Sequence, residues 1–135
     1  MHYDHAVIWI DHHEAHVQSF TRDENDSAVI HAHGAARKVH HHRGSSGSGK
    51  APVDNEFYSR VAHAIESSHE LLVVGPSQAK TEFVKYLGQH NPQLAAKVIG
   101  VEAADHPTEG QLLDHARRFF KAADRMLSQP GSHRT

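Results

Sequence analysis

The chain opens with Ala6-Val7-Ile8-Trp9-Ile10, an unbroken apolar run that is too short for a helix and rich in β-branched residues. Such a run predicts a strand buried on both faces. Asp11-His12-His13-Glu14 is a polar turn, and beyond it Ala15, Val17 and Ser19 alternate with His16, Gln18 and Phe20. That period of two predicts a second strand, paired to the first as a hairpin. A second polar cluster, Arg22 to Ser27, precedes Ala28, Ile30 and Ala32 alternating with Val29, His31 and His33, which predicts a third antiparallel strand.

Periodicity then stops. Residues 34–54 are rich in Gly, Ser, His and basic residues, and that composition predicts a flexible loop. Its His-Gly-Ser character resembles a tag linker, but patterned segments on both sides mark it as native. Helical spacing begins with Phe57, Val61, Ala64 and Ile65. Glu70 to Val74 reads as a buried strand ending at the Gly75-Pro76 turn. Ser77 is positioned to cap a helix whose apolar face is Ala79, Phe83, Tyr86 and Leu87 and whose expected stop is Gly88. A helical turn at Leu94 to Lys97 leads to a last strand at Val98 to Val101. Thr108 and Gln111 form a capping box for a long helix carrying Leu112, Ala116, Phe119, Ala123 and Leu127.

The expected order is βββαβαβα. Antiparallel strands followed by crossover helices require a mixed sheet with helices over its faces, an α/β fold in three layers with ribonuclease H-like topology. With 135 residues the chain has room for one core. The expected organisation is a single domain over 1–128 and a frayed tail over 129–135. Charged residues at 22% and a mean hydropathy of -0.61 leave room for much polar loop.

The absence of cysteine removes disulfides, thiolate metal sites and cysteine nucleophiles. No opening segment reads as a leader and the apolar runs are strand-sized, so the expectation is a cytoplasmic protein without membrane contact. A formal charge of -2 carries no global nucleic-acid signature, but sixteen histidines exceed ordinary usage and titrate near neutrality.

Several local patterns imitate known chemistry. Two-metal phosphodiester cleavage needs converging carboxylates holding cations about 4 Å apart. Asp11 ends the first strand suitably, but the fourth strand ends in Gly75-Pro76 with no acid beside it. Asp11-His12-His13 resembles the triplet of the Asp-His-His phosphoesterases, but the chain is too short for that architecture. His13-Glu14-Ala15-His16 falls one residue short of the zinc-protease spacing and lies on a hairpin. His31 and His33 share a strand face, a chelating geometry that lacks the further ligands of a metallo-β-lactamase. Gly75 to Thr81 approximates a phosphate loop with Lys80 but lacks its second glycine. One alternative function is therefore a metal-dependent phosphodiesterase using Asp11, His12, His13, His31 and His33.

The strongest binding signal lies in residues 31–50, which hold Arg37, Lys38, Arg43, Lys50 and five histidines without one acid. Such a patch attracts phosphate through counterion release. Aromatic stacking residues are absent from it, so a solvated connection is the plain alternative.

The stretch Leu71-Leu72-Val73-Val74-Gly75-Pro76-Ser77-Gln78-Ala79-Lys80-Thr81-Glu82-Phe83, with Lys97-Val98-Ile99-Gly100-Val101 and Thr108-Glu109-Gly110, resembles the central domain of eukaryotic and archaeal peptide-release factors and of Pelota. Their small bacterial relatives, labelled translational machinery proteins, share in addition an opening similar to residues 6–15. The resemblance to that group spans nearly the whole chain; to release factors proper it is confined to residues 71–120. It implies a ribonuclease H-like fold without nuclease chemistry. In release factors the loop after the third strand carries Gly-Gly-Gln, which promotes peptidyl-tRNA hydrolysis. Here that loop carries Gly44-Ser45-Ser46-Gly47-Ser48-Gly49, and no Gly-Gly-Gln occurs anywhere. Release activity is thus not implied. Pelota also lacks the motif and acts on ribosomes, so ribosomal or transfer RNA is the expected partner. Arg37, Lys38, Arg43, Lys50 and Lys80 are the expected contacts, in a non-enzymatic module needing no cofactor. A third reading, from the histidine excess, is a homodimeric scaffold or stress protein switched by histidine protonation near about pH 6.

Overall fold

The computed structural model describes residues 4–32 and 54–127, in two compact units, one up to Asp105 and one from His106. The first unit holds strands β1 (His5–Ile10), β2 (Glu14–Phe20) and β3 (Asn25–His31), helix α1 (Asn55–Ile65) and strand β4 (Glu70–Gly75). It continues with helix α2 (Ala79–His90), the one-turn helix α3 (Pro92–Ala95) and strand β5 (Val98–Ala103). The second unit holds helix α4 (Glu109–Leu127).

Two polar turns fold the first three strands into a meander. Asp11 Oδ1 accepts from the backbone N–H of His13 and Glu14 at 2.8 and 2.9 Å, closing the β1–β2 turn. Thr21 Oγ1 does the same for Asp23 and Glu24 at 3.3 and 3.1 Å. Such side-chain acceptors satisfy turn N–H groups that have no ladder partner. β1 then pairs antiparallel with β2, from His5 opposite Phe20 to Ile10 opposite Ala15. Because α1 carries the chain back across the sheet, β4 lies parallel to β1, and β5 lies parallel to β4. The result is a mixed five-stranded sheet of order β3-β2-β1-β4-β5.

Ala6, Ile8 and Ile10 of β1, Ala15 and Val17 of β2, and Leu71 and Val73 of β4 form one sheet face. Phe57, Tyr58, Val61, Ala62 and Ile65 of α1 and Ala79, Phe83 and Leu87 of α2 pack against it. On the other face stand Val7, Trp9, Leu72 and Val74, all buried, so the two central strands are apolar on both sides as their unbroken runs require. Trp9 Nε1–H donates to the Asp105 carbonyl at 2.6 Å, giving the buried indole its polar partner.

Several elements differ in detail from the sequence expectation. β3 starts at Asn25, inside the expected turn, because Asn25, Asp26 and Ser27 pair with Phe20, Ser19 and Gln18 at the exposed edge of the sheet, where polar residues cost nothing. The buried stripe of α1 includes Tyr58 and Ala62 and leaves Ala64 in solvent. α2 runs through Gly88 to His90, and Asn91 ends it: its N–H donates to Leu87 O while its Oδ1 caps α3 by accepting from Leu94 N–H at 3.2 Å. Helix α3 is the helical turn expected at Leu94 to Lys97, lying two residues earlier at Pro92–Ala95. Asp54, counted with the loop by composition, is the N-cap of α1 and accepts from Phe57 N–H at 3.0 Å. The expected capping box of α4 is present: Thr108 N–H donates to Gln111 Oε1 at 2.9 Å, and Gln111 N–H to Thr108 Oγ1 at 3.1 Å.

Gly75 is fixed by space. A Cβ there would lie 2.2 Å from the carbonyl oxygen of Ile10, so the ends of β1 and β4 close only with glycine at this point.

Candidate nucleic-acid interface

The carboxyl ends of β1 and β4 share one edge of the sheet, the side on which open α/β sheets bind ligands. At this edge lie the Asp11–His13 turn, Gly75 with the start of α2, Glu14 at the head of β2, and His31 at the end of β3. Glu14 and His31 stand directly opposite in the ladder, and Ala32 N–H donates to the His13 carbonyl at 2.9 Å. The chain leaves the described region beside this turn and re-enters it at the Asp54 cap of α1.

Two carboxylates organise the edge. Glu82, in the first turn of α2, accepts from the Tyr58 hydroxyl at 2.9 Å and lies 3.2 Å from His12 Nε2, both on the same oxygen. Tyr58 is almost completely buried, with ring contacts to Phe57, Phe83 and Tyr86, so it holds the carboxylate from the core side. Burial, then the hydrogen bond and charge of Glu82, then Asp54, push its phenol well above the ordinary value, and it stays a neutral donor. Glu14 faces two imidazoles: His16 Nε2 at 3.0 Å from one oxygen, and His31 Nδ1 at 3.5 Å from the other. Arg60 of α1 forks to Glu56 one turn earlier and donates to the His31 carbonyl at 2.7 Å, tying the helix to the end of β3.

Of the residues expected to bind RNA, Lys80 lies at this edge in the first turn of α2, its ammonium donating to the Ser77 carbonyl at 2.7 Å. Ser77 Oγ accepts only a long bond from Ala79 N–H, 3.4 Å, and Gln78 holds the N-cap position. Arg37, Lys38, Arg43 and Lys50 lie outside the described residues, as does His33. Asp11, His12, His13 and His31 come to the same edge but engage different partners: Asp11 its own turn, His12 Glu82, His31 Glu14. Among the described residues these four do not gather three ligand atoms into one cluster.

Tyr58 and Arg60 fall in no pattern that the sequence offers, Glu14 appears there only within His13-Glu14-Ala15-His16, and Glu82 only within the stretch that carries the resemblance to release factors and Pelota. The Tyr58–Glu82, Arg60–His31 and His12–Glu82 contacts join residues 24 to 70 positions apart, and no local spacing announces them.

No family model matches the chain. Over 82 residues, 57% of the chain, it is 28% identical to a Pelota homolog of Methanosarcina barkeri. The chain is similar to Pelota. It spans 23% of that relative's length. The crystal structure of Archaeoglobus fulgidus Pelota superposes over 87% of the chain and 32% of its own length, with a TM-score of 0.59 at 16% identity. An archaeal translation termination factor, aRF1, superposes over 96% of the chain and 42% of its own length, with a TM-score of 0.51 at 12% identity. At such identities the structural likeness establishes the fold: a mixed five-stranded sheet with helices, of the kind found in the central domain of Pelota. No described helix is long and apolar enough to cross a membrane.

Proposed function

We propose that this chain is a translation-associated module that binds ribosomal or transfer RNA without catalysing a reaction. The observation that carries the reading is the similarity to Pelota, in sequence over 82 residues and in fold over most of the chain. The acid-free basic stretch adds the chemistry that RNA requires. Strand order β3-β2-β1-β4-β5 with β2 antiparallel supports the ribonuclease H-like assignment. In this reading Arg37, Lys38, Arg43 and Lys50 contact phosphates from a segment that starts and ends at the described edge, with Lys80 beside it. A cytoplasmic location follows from work on ribosomes.

The test is binding to tRNA and to ribosomal RNA across a salt series. A log–log slope of about -0.7 per phosphate contact is expected for single-stranded RNA. Changing Arg37, Lys38, Arg43 and Lys50 together to Ser removes most of that slope. Salt-insensitive binding, or an unchanged slope in the variant, contradicts the assignment.

A second reading keeps one observation of its own. His5 with Glu70, His12 with Glu82, His16 and His31 with Glu14, His63 with Glu66 and His69 with Asp4 each place an imidazole against a carboxylate. A homodimeric scaffold switched by these pairs predicts association that changes between about pH 5 and 8, readable by analytical ultracentrifugation.

A further inference from the structure

The Tyr58–Glu82–His12 chain fixes more than position; it fixes which nitrogen of His12 carries a proton. An ionised carboxylate only accepts hydrogen bonds. The Tyr58 hydroxyl, held neutral by burial, donates to Glu82 Oε1 at 2.9 Å. The imidazole nitrogen 3.2 Å from the same oxygen must therefore donate too, so neutral His12 is the Nε2–H tautomer. Its Nδ1 is then a bare lone pair, and among the described residues nothing reaches it. The His12 side chain is 49% exposed, and Glu82, which orients it, 34%.

The backbone holds the ring from below. Asp11 Oδ1 ties down the N–H groups of His13 and Glu14, and the His13 carbonyl accepts from Ala32 N–H, so the turn carrying His12 is bound on both sides. A rigid acceptor at the carboxyl edge of a sheet suits a ligand that brings a hydroxyl donor. Ammonium and guanidinium groups answer phosphate; a neutral imidazole acceptor answers a sugar hydroxyl.

We infer that His12 Nδ1 accepts a hydrogen bond from a ribose 2′-hydroxyl and makes this edge of the sheet selective for RNA over DNA. The 2′-hydroxyl is what separates the two nucleic acids at a single site. The inference rests on the RNA-binding reading above and adds to it a contact that a purely phosphate-driven surface lacks.

The test uses the full chain with an RNA stem-loop and a DNA of the same sequence at one fixed salt concentration. One net hydrogen bond corresponds to a preference for RNA of about 2–10-fold. His12→Phe, which keeps the ring volume and removes the acceptor, is expected to abolish that preference while leaving DNA affinity unchanged. Long-range 1H–15N correlation of the unbound protein is expected to show protonated Nε2 and bare Nδ1 at His12, and Glu82→Gln is expected to weaken that bias. A preference that survives in His12→Phe, or an Nδ1–H tautomer in the unmodified protein, overturns the inference. Equal affinity of the unmodified protein for both strands overturns it alone, whereas failure to bind either strand removes the RNA-binding reading as well.

Discussion

Gly75 and Gly88 make opposite use of the same residue type. At Gly75 a methyl group would sit 2.2 Å from the Ile10 carbonyl oxygen, a backbone atom that cannot turn aside, whereas around Gly88 a Cβ meets nothing within 4 Å. Gly75→Ala is therefore expected to cost about 1–3 kcal/mol or more, by prying β4 from β1. Gly88→Ala is expected to stabilise by roughly 0.5–1 kcal/mol, since it fills an interior helical position with a better helix former. Urea denaturation of the two variants checks both signs, and a tolerated Gly75→Ala would mean that the strand ends are looser than described. Tyr58 carries the second prediction at this scale. Its folded-state value is raised above the ordinary 10.0, so its contribution is intact below that pH and is lost as pH rises beyond it. The loss is at most about 1.4 kcal/mol per pH unit. Tyr58→Phe is expected to flatten the fall in thermal stability above pH 10 and to cost about 0.5–1.5 kcal/mol at neutral pH, where the bond to Glu82 is lost. An unchanged alkaline limb in the variant would place the titration elsewhere.

Among the elements, those with strong periodicity were legible in the sequence. β1 and β4, buried on both faces, announce themselves as unbroken apolar runs, and the Thr108–Gln111 box marks the start of α4 by chemistry alone. β3 was half hidden because an edge strand tolerates Asn25, Asp26 and Ser27, which in isolation spell a turn. The end of α2 lies beyond the glycine that suggests it because glycine stops a helix only where the chain needs it, and Asn91, directly after His90, does that work three positions past Gly88. Of the candidate edge, the turn histidines, Glu14 and Lys80 are visible as residues, but the role of Glu82 is not, since it meets His12 and Tyr58 only through the sheet and helix packing. The Asp54 cap offers a prediction for α1: Asp54→Ala leaves the Phe57 N–H without its acceptor and is expected to cost about 0.5–2 kcal/mol. Circular dichroism through a thermal scan reads the loss, and a melting curve indistinguishable from that of the unmodified chain would count against the cap.

At the scale of the molecule, the sheet brings the start of α1, the start of α2, the β1–β2 turn and the end of β3 to one edge, and the basic stretch spans the sequence between β3 and α1. That arrangement ties an acid-free segment to a hydrogen-bonded polar edge on an α/β fold similar to the central domain of Pelota. The chain spans 32% of the length of that solved Pelota. Association with the translation machinery is the claim on which the account turns. Sucrose-gradient sedimentation of the protein at native abundance, beside the variant with Arg37, Lys38, Arg43 and Lys50 changed to Ser, tests it most directly. Co-migration with ribosomal particles is expected at low salt, lost in the variant and at moderate salt. Protein that stays at the top of the gradient in every buffer would contradict it and reduce the similarity to Pelota to one of fold.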